Sequence, residues 1–134
     1  MEQKKTKPVV LIVDDEKEQR SLILNFLKLR YDCTFEEAED GNGAVDFVKS
    51  NPCDLMLLDI RMPKKGGMDV IKEAKEIKPD MDIIIVSGYI SDDVVGEAME
   101  LGATDFVVKP IDLKHLMMKF ETILEKRGQK VSRI

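Results

Sequence analysis

The chain has 134 residues, of which 26 are Asp or Glu and 21 are Lys or Arg, so its formal net charge is −5. This length fits one domain that buries its own core without disulfides or a structural metal. The acidic balance argues against a surface devoted to nucleic acid, and the longest apolar run, Val9–Val13, is far shorter than the ~20 residues of a membrane span.

The N-terminal segment argues against a secreted protein, and the cysteines argue against a disulfide scaffold or a zinc site. The basic start is not followed by the apolar stretch of a signal peptide. Cys33 and Cys53 are the two cysteines, and their spacing is not that of a metal site. We therefore expect a cytoplasmic protein with reduced thiols and no membrane segment.

Five short runs are predicted to be β-strands: Val9–Val13, Thr34–Ala38, Asp54–Leu58, Ile83–Val86 and Asp105–Val108. Four of them are apolar without alternation, which is typical of parallel strands buried on both faces. The run Thr34–Ala38 is more polar, so we expect it at an edge of the sheet.

Apolar residues recur at helical spacing between and after these strands. The first stripe comprises Leu22, Ile23, Phe26 and Leu27. The second comprises Ala44, Val45 and Val48, and the third Val70, Ile71, Ala74 and Ile77. The clearest stripe is the last, with Leu113, Leu116, Met117, Phe120, Ile123 and Leu124. Each stripe predicts a helix that packs on the sheet.

Polar residues at the ends of these stripes predict where helices begin and end. Asn42, Ser91 and Asp112 are predicted N-caps, because their side chains can accept from free backbone N–H groups. The helices after Ser91 and Asp112 are predicted to end near Gly102 and Gly128.

Strands and helices therefore alternate as five β–α units. Right-handed crossovers predict an α/β fold, a doubly wound parallel sheet of five strands with helices on both faces. We place one domain at residues 8–126 and expect flexible tails or a linker at residues 1–7 and 127–134.

Chemically capable side chains follow four of the strands. Asp14 and Asp15 follow the first strand, Asp59 the third, Ser87 the fourth and Lys109 the fifth. In an open α/β sheet these carboxyl ends meet at one edge, where ligands bind. The sequence thus predicts that three carboxylates, a hydroxyl and an amine converge there.

This set of groups matches the needs of phosphoryl transfer. Three neighbouring carboxylates repel one another and require a cation, and hard oxygen ligands suit Mg²⁺. A lysine and a hydroxyl supply a charge and a hydrogen bond to phosphoryl oxygens. A carboxylate can itself accept the phosphoryl group as an acyl phosphate.

These residues resemble the receiver domain of two-component response regulators, in the chemotaxis-regulator-like superfamily. The resemblance spans Val9 to Leu124 and depends on five segments: Val13–Glu16, Leu58–Pro63 with Gly67, Val86–Gly88, Gly102–Ala103 and Asp105–Pro110. It implies a flavodoxin-like (βα)5 fold with strand order 2-1-3-4-5.

The resemblance also implies roles for the converging residues. Asp59 is expected to be the phosphoacceptor, and Lys109 to contact the phosphoryl group. Asp15, Asp59 and the backbone carbonyl of Arg61 are expected to bind Mg²⁺ or Mn²⁺, with Asp14 acting directly or through water.

The switch that follows phosphorylation is implied in the same way. Ser87 is expected to move toward the phosphoryl group and Phe106 to swing inward. The face formed by helix 4, strand 5 and helix 5 is expected to carry the output. A cis peptide bond is expected between Lys109 and Pro110.

Arg61 and Tyr89 hold the two positions that flank the path of attacking water in receivers. Neither side chain offers a carboxylate or an amide that orients a water for in-line attack. We therefore hypothesise that the acyl phosphate on Asp59 hydrolyses slowly. The alternative is that both side chains point into solvent.

The implied function is that of a bacterial phosphorelay switch, self-catalysed and not a turnover enzyme. The implied partners are a sensor histidine kinase or histidine phosphotransfer protein, an output domain or effector, and a second copy bound through the output face. We expect no direct nucleic-acid binding in this chain.

Two other functions are compatible with parts of this pattern. A phosphatase of the haloacid-dehalogenase type also uses an Asp nucleophile with Mg²⁺, but it places that Asp after its first strand in an Asp-x-Asp pattern. Here Asp14 and Asp15 are adjacent, and the chain has no room for a cap domain. A receiver fold that never takes phosphate would be indicated by loss of Asp15, Asp59 or Lys109, and all three are present.

Overall fold

A computed structural model describes residues 7–62, 65–88, 91–129 and 133–134, in which strands and helices alternate as predicted. The strands are β1 (Val9–Val13), β2 (Thr34–Ala38), β3 (Leu55–Leu58), β4 (Asp82–Ser87) and β5 (Asp105–Val108). The helices are α1 (Lys17–Lys28), α2 (Gly41–Ser50), α3 (Gly67–Ile77), α4 (Asp92–Leu101) and α5 (Leu113–Lys126).

All five strands lie in one parallel sheet with the order β2-β1-β3-β4-β5, which confirms the predicted doubly wound, flavodoxin-like fold. The polar strand β2 is at an edge, as expected. Strand β3 begins one residue later than predicted, at Leu55. Asp54, just before it, accepts from Val9 N through its carboxylate at 2.8 Å and donates its own N–H to the carbonyl of Val9 at 2.9 Å. Strand β4 is longer than predicted at both ends and includes Ser87.

The two faces of the sheet bury separate hydrophobic clusters. Alternate residues of each central strand point to opposite faces, so that Leu11 and Met56 join one cluster while Val10 and Leu55 join the other. Helices α2, α3 and α4 cover the first face, and α1 and α5 cover the second. Coverage on both faces explains why the central strands are continuously apolar.

The predicted apolar stripes are buried except at their margins. Ile23 and Leu27 of α1 are buried, whereas Leu22 is 57% exposed and lies outside the buried stripe. Ile77, at the last residue of α3, is also exposed. A helix presents only part of its circumference to a sheet, so adjacent apolar residues cannot all be covered.

Two of the three predicted N-caps are confirmed. Ser91 Oγ accepts from Val94 N, and Asp112 Oδ1 accepts from Lys114 N and His115 N. The prediction for Asn42 is wrong, because α2 begins earlier and Asp40 caps it by accepting from Gly43 N at 2.7 Å.

The ends of α4 and α5 follow the glycine signals. Gly102 has φ +114° and ends α4, and Gly128 has φ +75° just beyond the end of α5. Only glycine adopts such values at little cost.

Residues beyond 126 contact the domain where the structure describes them. Arg127 pairs with Asp82 at 3.0 Å and with Asp54 at 3.3 Å. Arg133 pairs with Glu121 at 2.6 Å, and Ile134 N donates to the carbonyl of Arg30 at 2.8 Å. The domain boundary at residue 126 stays a prediction.

Among all the residues that the structure describes, no helix combines the length with the apolar composition needed for a membrane span.

We expect Gly67→Ala to destabilise the protein by about 1–3 kcal/mol, because overpacking costs of that size follow when the backbone must move. A Cβ at Gly67 would lie 2.5 Å from the Cα of Ile60, next to the end of β3. Gly96→Ala is the matched control, since it lies inside α4 with open space around its position. Urea unfolding should show the control stabilised by about 0.5–1 kcal/mol from helix propensity; equal effects of the two variants would contradict the close contact at Gly67.

Candidate functional site

The carboxyl ends of four strands bring the predicted site residues together. The crossover from β1 runs toward β2 on one side, while β3 lies on the other, so the gap above β1 and β3 is the switch point of the sheet. A groove opens there, and its lining comprises Asp15, Glu16, Gln19, Asp59, Arg61, Ser87, Gly88, Lys109 and Pro110.

The three predicted carboxylates form one cluster. One oxygen each of Asp14, Asp15 and Asp59 lies within 4.8 Å of the others. Asp14 is 2% exposed and Asp59 is 6% exposed, whereas Asp15 faces solvent. The cluster therefore has a buried floor and an open rim.

Lys109 compensates the buried part of this cluster. Its Nζ lies 3.0 Å from Asp14 Oδ2 and 3.2 Å from Asp59 Oδ2. The Lys109–Pro110 peptide bond is cis, as the family resemblance implied. One ammonium thus contacts both buried carboxylates and leaves the exposed one, Asp15, to the open side.

Backbone amides hold the other oxygens of the two buried carboxylates. Glu16 N donates to Asp14 Oδ1 at 2.9 Å, and Arg61 N donates to Asp59 Oδ1 at 3.0 Å. Each carboxylate is therefore bound from two sides, which fixes its orientation at the end of its strand.

The electrostatics of the cluster reflect burial opposed by ion pairing. Burial raises the pKa of Asp59 above its usual value, and the nearby Asp14 adds to the rise, against the opposing effects of the Arg61 amide and Lys109. Burial alone would lower the pKa of Lys109, but hydrogen bonds and charge attraction from Asp14 and Asp59 together raise it. Ion pairing thus favours the charged form of Lys109, whereas burial disfavours the charged form of Asp59.

Of the two predicted switch residues, Ser87 lines the groove at the carboxylates, whereas Phe106 packs on one face of the sheet. Ser87 is fully buried at the end of β4, and its carbonyl accepts from Lys109 N at 2.9 Å. Phe106 is half-buried and packs against the hydrophobic cluster on the sheet face that α2, α3 and α4 cover. The ammonium of Lys119 lies 4.8 Å from the centre of the Phe106 ring, and it also donates to the Phe106 carbonyl at 2.6 Å.

Of the two residues predicted to flank the water path, Arg61 lies within the described part of the chain. Arg61 is exposed at the rim of the groove, two residues after Asp59. Tyr89 lies outside the described residues. The roles of both stay predictions.

One contributor to the site was missed in the sequence. Arg20 of α1 donates through Nη1 to the carbonyl of Asp14 at 2.7 Å and through Nε to Glu37 Oε1 at 2.9 Å. The available signal in the sequence was the position of Arg20, five residues after Asp15. That position does not indicate which acceptor its side chain binds.

His115 and the two cysteines lie apart from this chemistry. His115 is exposed on α5. Both cysteines are free thiols, and burial raises the pKa of Cys33 to about 11 and that of Cys53 to about 12. Neither is a thiolate at neutral pH, which agrees with a role in packing.

The donor set fits a divalent cation such as Mg²⁺ or Mn²⁺. All three clustered side chains offer hard oxygen atoms, and the exposed rim at Asp15 leaves room for water or substrate oxygens. The cluster holds three carboxylates against the single charge of Lys109, so a bound cation would remove repulsion.

A family model and two relatives match most of this chain. The family model described as response regulator receiver domain matches residues 10–121. The chain is 33% identical to a cyclic di-GMP phosphodiesterase of Thermotoga maritima over 118 residues, covering 88% of this chain and 31% of that protein. It is 37% identical to protein CcdB of Bacillus subtilis over 103 residues, covering 77% of this chain and 86% of that one.

A solved structure shows the same fold. The response regulator receiver domain protein (CheY-like) from Methanospirillum hungatei superposes with a TM-score of 0.87 at 23% identity, covering 92% of this chain and 98% of that one. The chain therefore spans nearly all of a receiver-sized protein but under a third of the phosphodiesterase.

Without divalent metal, we expect Asp59→Asn to be more thermostable than the parent at about pH 7.5, because the parent then buries a charge. A carboxyl whose pKa is higher in the folded state than in the unfolded state loses stability as pH rises between those two values. The advantage of Asn should therefore shrink as pH falls through that window. Asp46→Asn, on an exposed position of α2, is the control and should show no such trend. An advantage of Asn that is independent of pH would contradict this origin.

Proposed function

This chain belongs to the response regulator receiver domain family, and we propose that it is a phosphorylatable switch that accepts a phosphoryl group on Asp59. The donor is a phosphohistidine of a sensor histidine kinase or a histidine phosphotransfer protein. The observation that supports this most directly is the position of Asp59, buried at the end of β3 with Asp14, Asp15 and Lys109 around it.

The transfer is a displacement at phosphorus. A carboxylate oxygen of Asp59 forms the new P–O bond, the P–N bond to the donor imidazole breaks, and the imidazole nitrogen keeps the electron pair. The product is an acyl phosphate. Asp59 is already fixed by the Arg61 amide and Lys109, so it needs little reorientation before attack.

The carboxylates would hold the metal that this transfer requires. Asp15, Asp59 and the backbone carbonyl of Arg61 are the proposed direct ligands of Mg²⁺ or Mn²⁺, and Asp14 binds directly or through water. Bound Mg²⁺ supplies positive charge that offsets the negative charge of the carboxylates and of the incoming phosphoryl oxygens.

The remaining residues convert the chemical change into a conformational one. After transfer, Lys109 exchanges its contact with the Asp59 carboxylate for one with a phosphoryl oxygen, and Ser87 donates to another. Moving a two-state equilibrium from 1:99 to 99:1 takes about 5.5 kcal/mol. A few hydrogen bonds to charged groups at ~1.5–3 kcal/mol each supply this amount. Phe106 follows Ser87 inward.

The output face is formed by α4, β5 and α5. Each of these elements exposes one large apolar side chain, namely Met99, Val108 and Met118. We propose that an effector, an output domain or a second copy of the chain binds there. No nucleic-acid binding is proposed for this segment, and its free thiols suit the cytoplasm.

We propose a self-catalysed acceptor and not a turnover enzyme. The phosphodiesterase relative is longer, and this chain covers only 31% of it. Phosphodiesterase activity is therefore not proposed for this chain.

We expect incubation with acetyl phosphate and Mg²⁺ to add one phosphoryl group, as measured by intact mass. Asp59→Asn should abolish the addition because the amide is a poor nucleophile. Asp46→Asn, with the same chemical change at an exposed site on α2, should be labelled like the parent. Labelling of Asp59→Asn at the parental rate would exclude Asp59 as the acceptor.

We expect the double variant Arg61→Asn with Tyr89→Glu to lose its phosphoryl group faster than the parent, because amide and carboxylate groups orient water for in-line attack. Decay is followed by intact mass after removal of the phosphodonor. Decay no faster than in the parent would show that these two positions do not control access of water.

A further inference from the structure

Arg20 joins three elements at the edge of the candidate metal site without belonging to the carboxylate cluster. Its side chain leaves α1, is 11% exposed, and donates to the carbonyl of Asp14 on the β1 side and to Glu37 on β2. Its own N–H donates to the carbonyl of Glu16 at 3.0 Å, within the first turn of α1. The backbone of Arg20 is therefore fixed within the helix, and its guanidinium is held by the two acceptors, Asp14 and Glu37.

The bond to the Asp14 carbonyl has a geometric consequence for the next residue. A trans peptide is planar, so fixing the carbonyl of Asp14 also fixes the amide of Asp15. The carboxylate of Asp14 is fixed separately, by the amide of Glu16. The direction in which Asp15 leaves the backbone thus depends on a peptide plane that Arg20 holds.

The charge of Arg20, taken alone, would weaken the binding of a cation at this site. A guanidinium next to three carboxylates repels a divalent cation, so a purely electrostatic role would weaken cation binding. Here the Arg20 charge is paired with Glu37 at 2.9 Å, which offsets that repulsion while leaving the hydrogen bond to Asp14 intact. The fork of the guanidinium makes both contacts at once, which a lysine ammonium cannot reproduce.

We propose that Arg20 is a positioning residue for the metal site. It holds the Asp14–Asp15 peptide so that both carboxylates converge with Asp59 on a divalent cation. This inference rests on the proposed function, since it concerns the cation that phosphorylation of Asp59 requires.

Isothermal titration with Mg²⁺ distinguishes positioning from charge. Loss of groups that orient metal ligands typically weakens metal binding 10–100-fold, so we expect Arg20→Met to raise the Mg²⁺ dissociation constant about tenfold. Arg20→Lys keeps the charge but not the fork, and should also weaken binding. Arg30→Met removes one positive charge at a site that contacts Phe26, and should bind Mg²⁺ like the parent.

The outcomes separate this inference from the proposed function. Tighter or unchanged Mg²⁺ binding by Arg20→Met, with parental binding normal, overturns the positioning role alone. Absence of Mg²⁺ binding by the parent overturns the proposed function and this inference together. Thermal unfolding without metal reports whether each variant is folded, and if Arg20→Met is not, the affinity of Arg20→Lys decides.

A second measurement addresses the consequence for phosphorylation. Labelling of Arg20→Met by acetyl phosphate should be slow at low Mg²⁺ and return to the parental rate at saturating Mg²⁺, because Asp59 itself is unchanged. A rate that stays low at saturating Mg²⁺ would contradict a role exerted through the metal.

Discussion

The ammonium of Lys109 contacts two buried carboxylates, Asp14 and Asp59. The site depends on this ion pairing, because the charges of all three groups offset one another away from water. Removing two carboxylates from water is costly unless a partner charge and hydrogen bonds replace the solvent. Lys109 supplies the charge, and the amides of Glu16 and Arg61 supply the hydrogen bonds. The compensation is incomplete, since the pKa of Asp59 is still raised by burial. The site is thus prepared for additional positive charge, which the proposed divalent cation would supply.

The parallel sheet makes this arrangement rigid. Asp14, Asp59, Ser87 and Lys109 lie at or just beyond the ends of four strands whose faces are both covered by helices. Their backbone positions are therefore set by the hydrogen-bonded ladder and not by a free loop. Only groups at the rim, such as Asp15 and Arg61, are exposed. A buried floor with an exposed rim is the arrangement that the proposed phosphoryl transfer to Asp59 would require, because the groove is open while the geometry beneath it is maintained.

Charged side chains from the helices brace the sheet by donating to backbone carbonyls. Arg20 of α1 binds the carbonyl of Asp14 at the site. Lys119 of α5 binds the carbonyl of Phe106 and pairs with Asp105, next to the proposed switch aromatic. Arg127, just after α5, instead pairs with the carboxylates of Asp54 and Asp82 at the opposite, N-terminal ends of β3 and β4. Arg20 and Lys119 thus tie α1 and α5 to the backbone just beyond β1 and within β5.

The sequence by itself determined the alternation of strands and helices, because buried parallel strands and amphipathic helices have distinct local patterns. It predicted β1, β2 and β5 to the residue, and it predicted that Asp14, Asp15, Asp59, Ser87 and Lys109 converge, since strand ends share one edge. Only the tertiary structure decided that Asp40 and not Asn42 caps α2, that Leu22 is exposed, and that Arg20 binds both Asp14 and Glu37. Those outcomes depend on distances between residues remote in the chain and on the exact start of a helix, which periodicity and residue type do not encode.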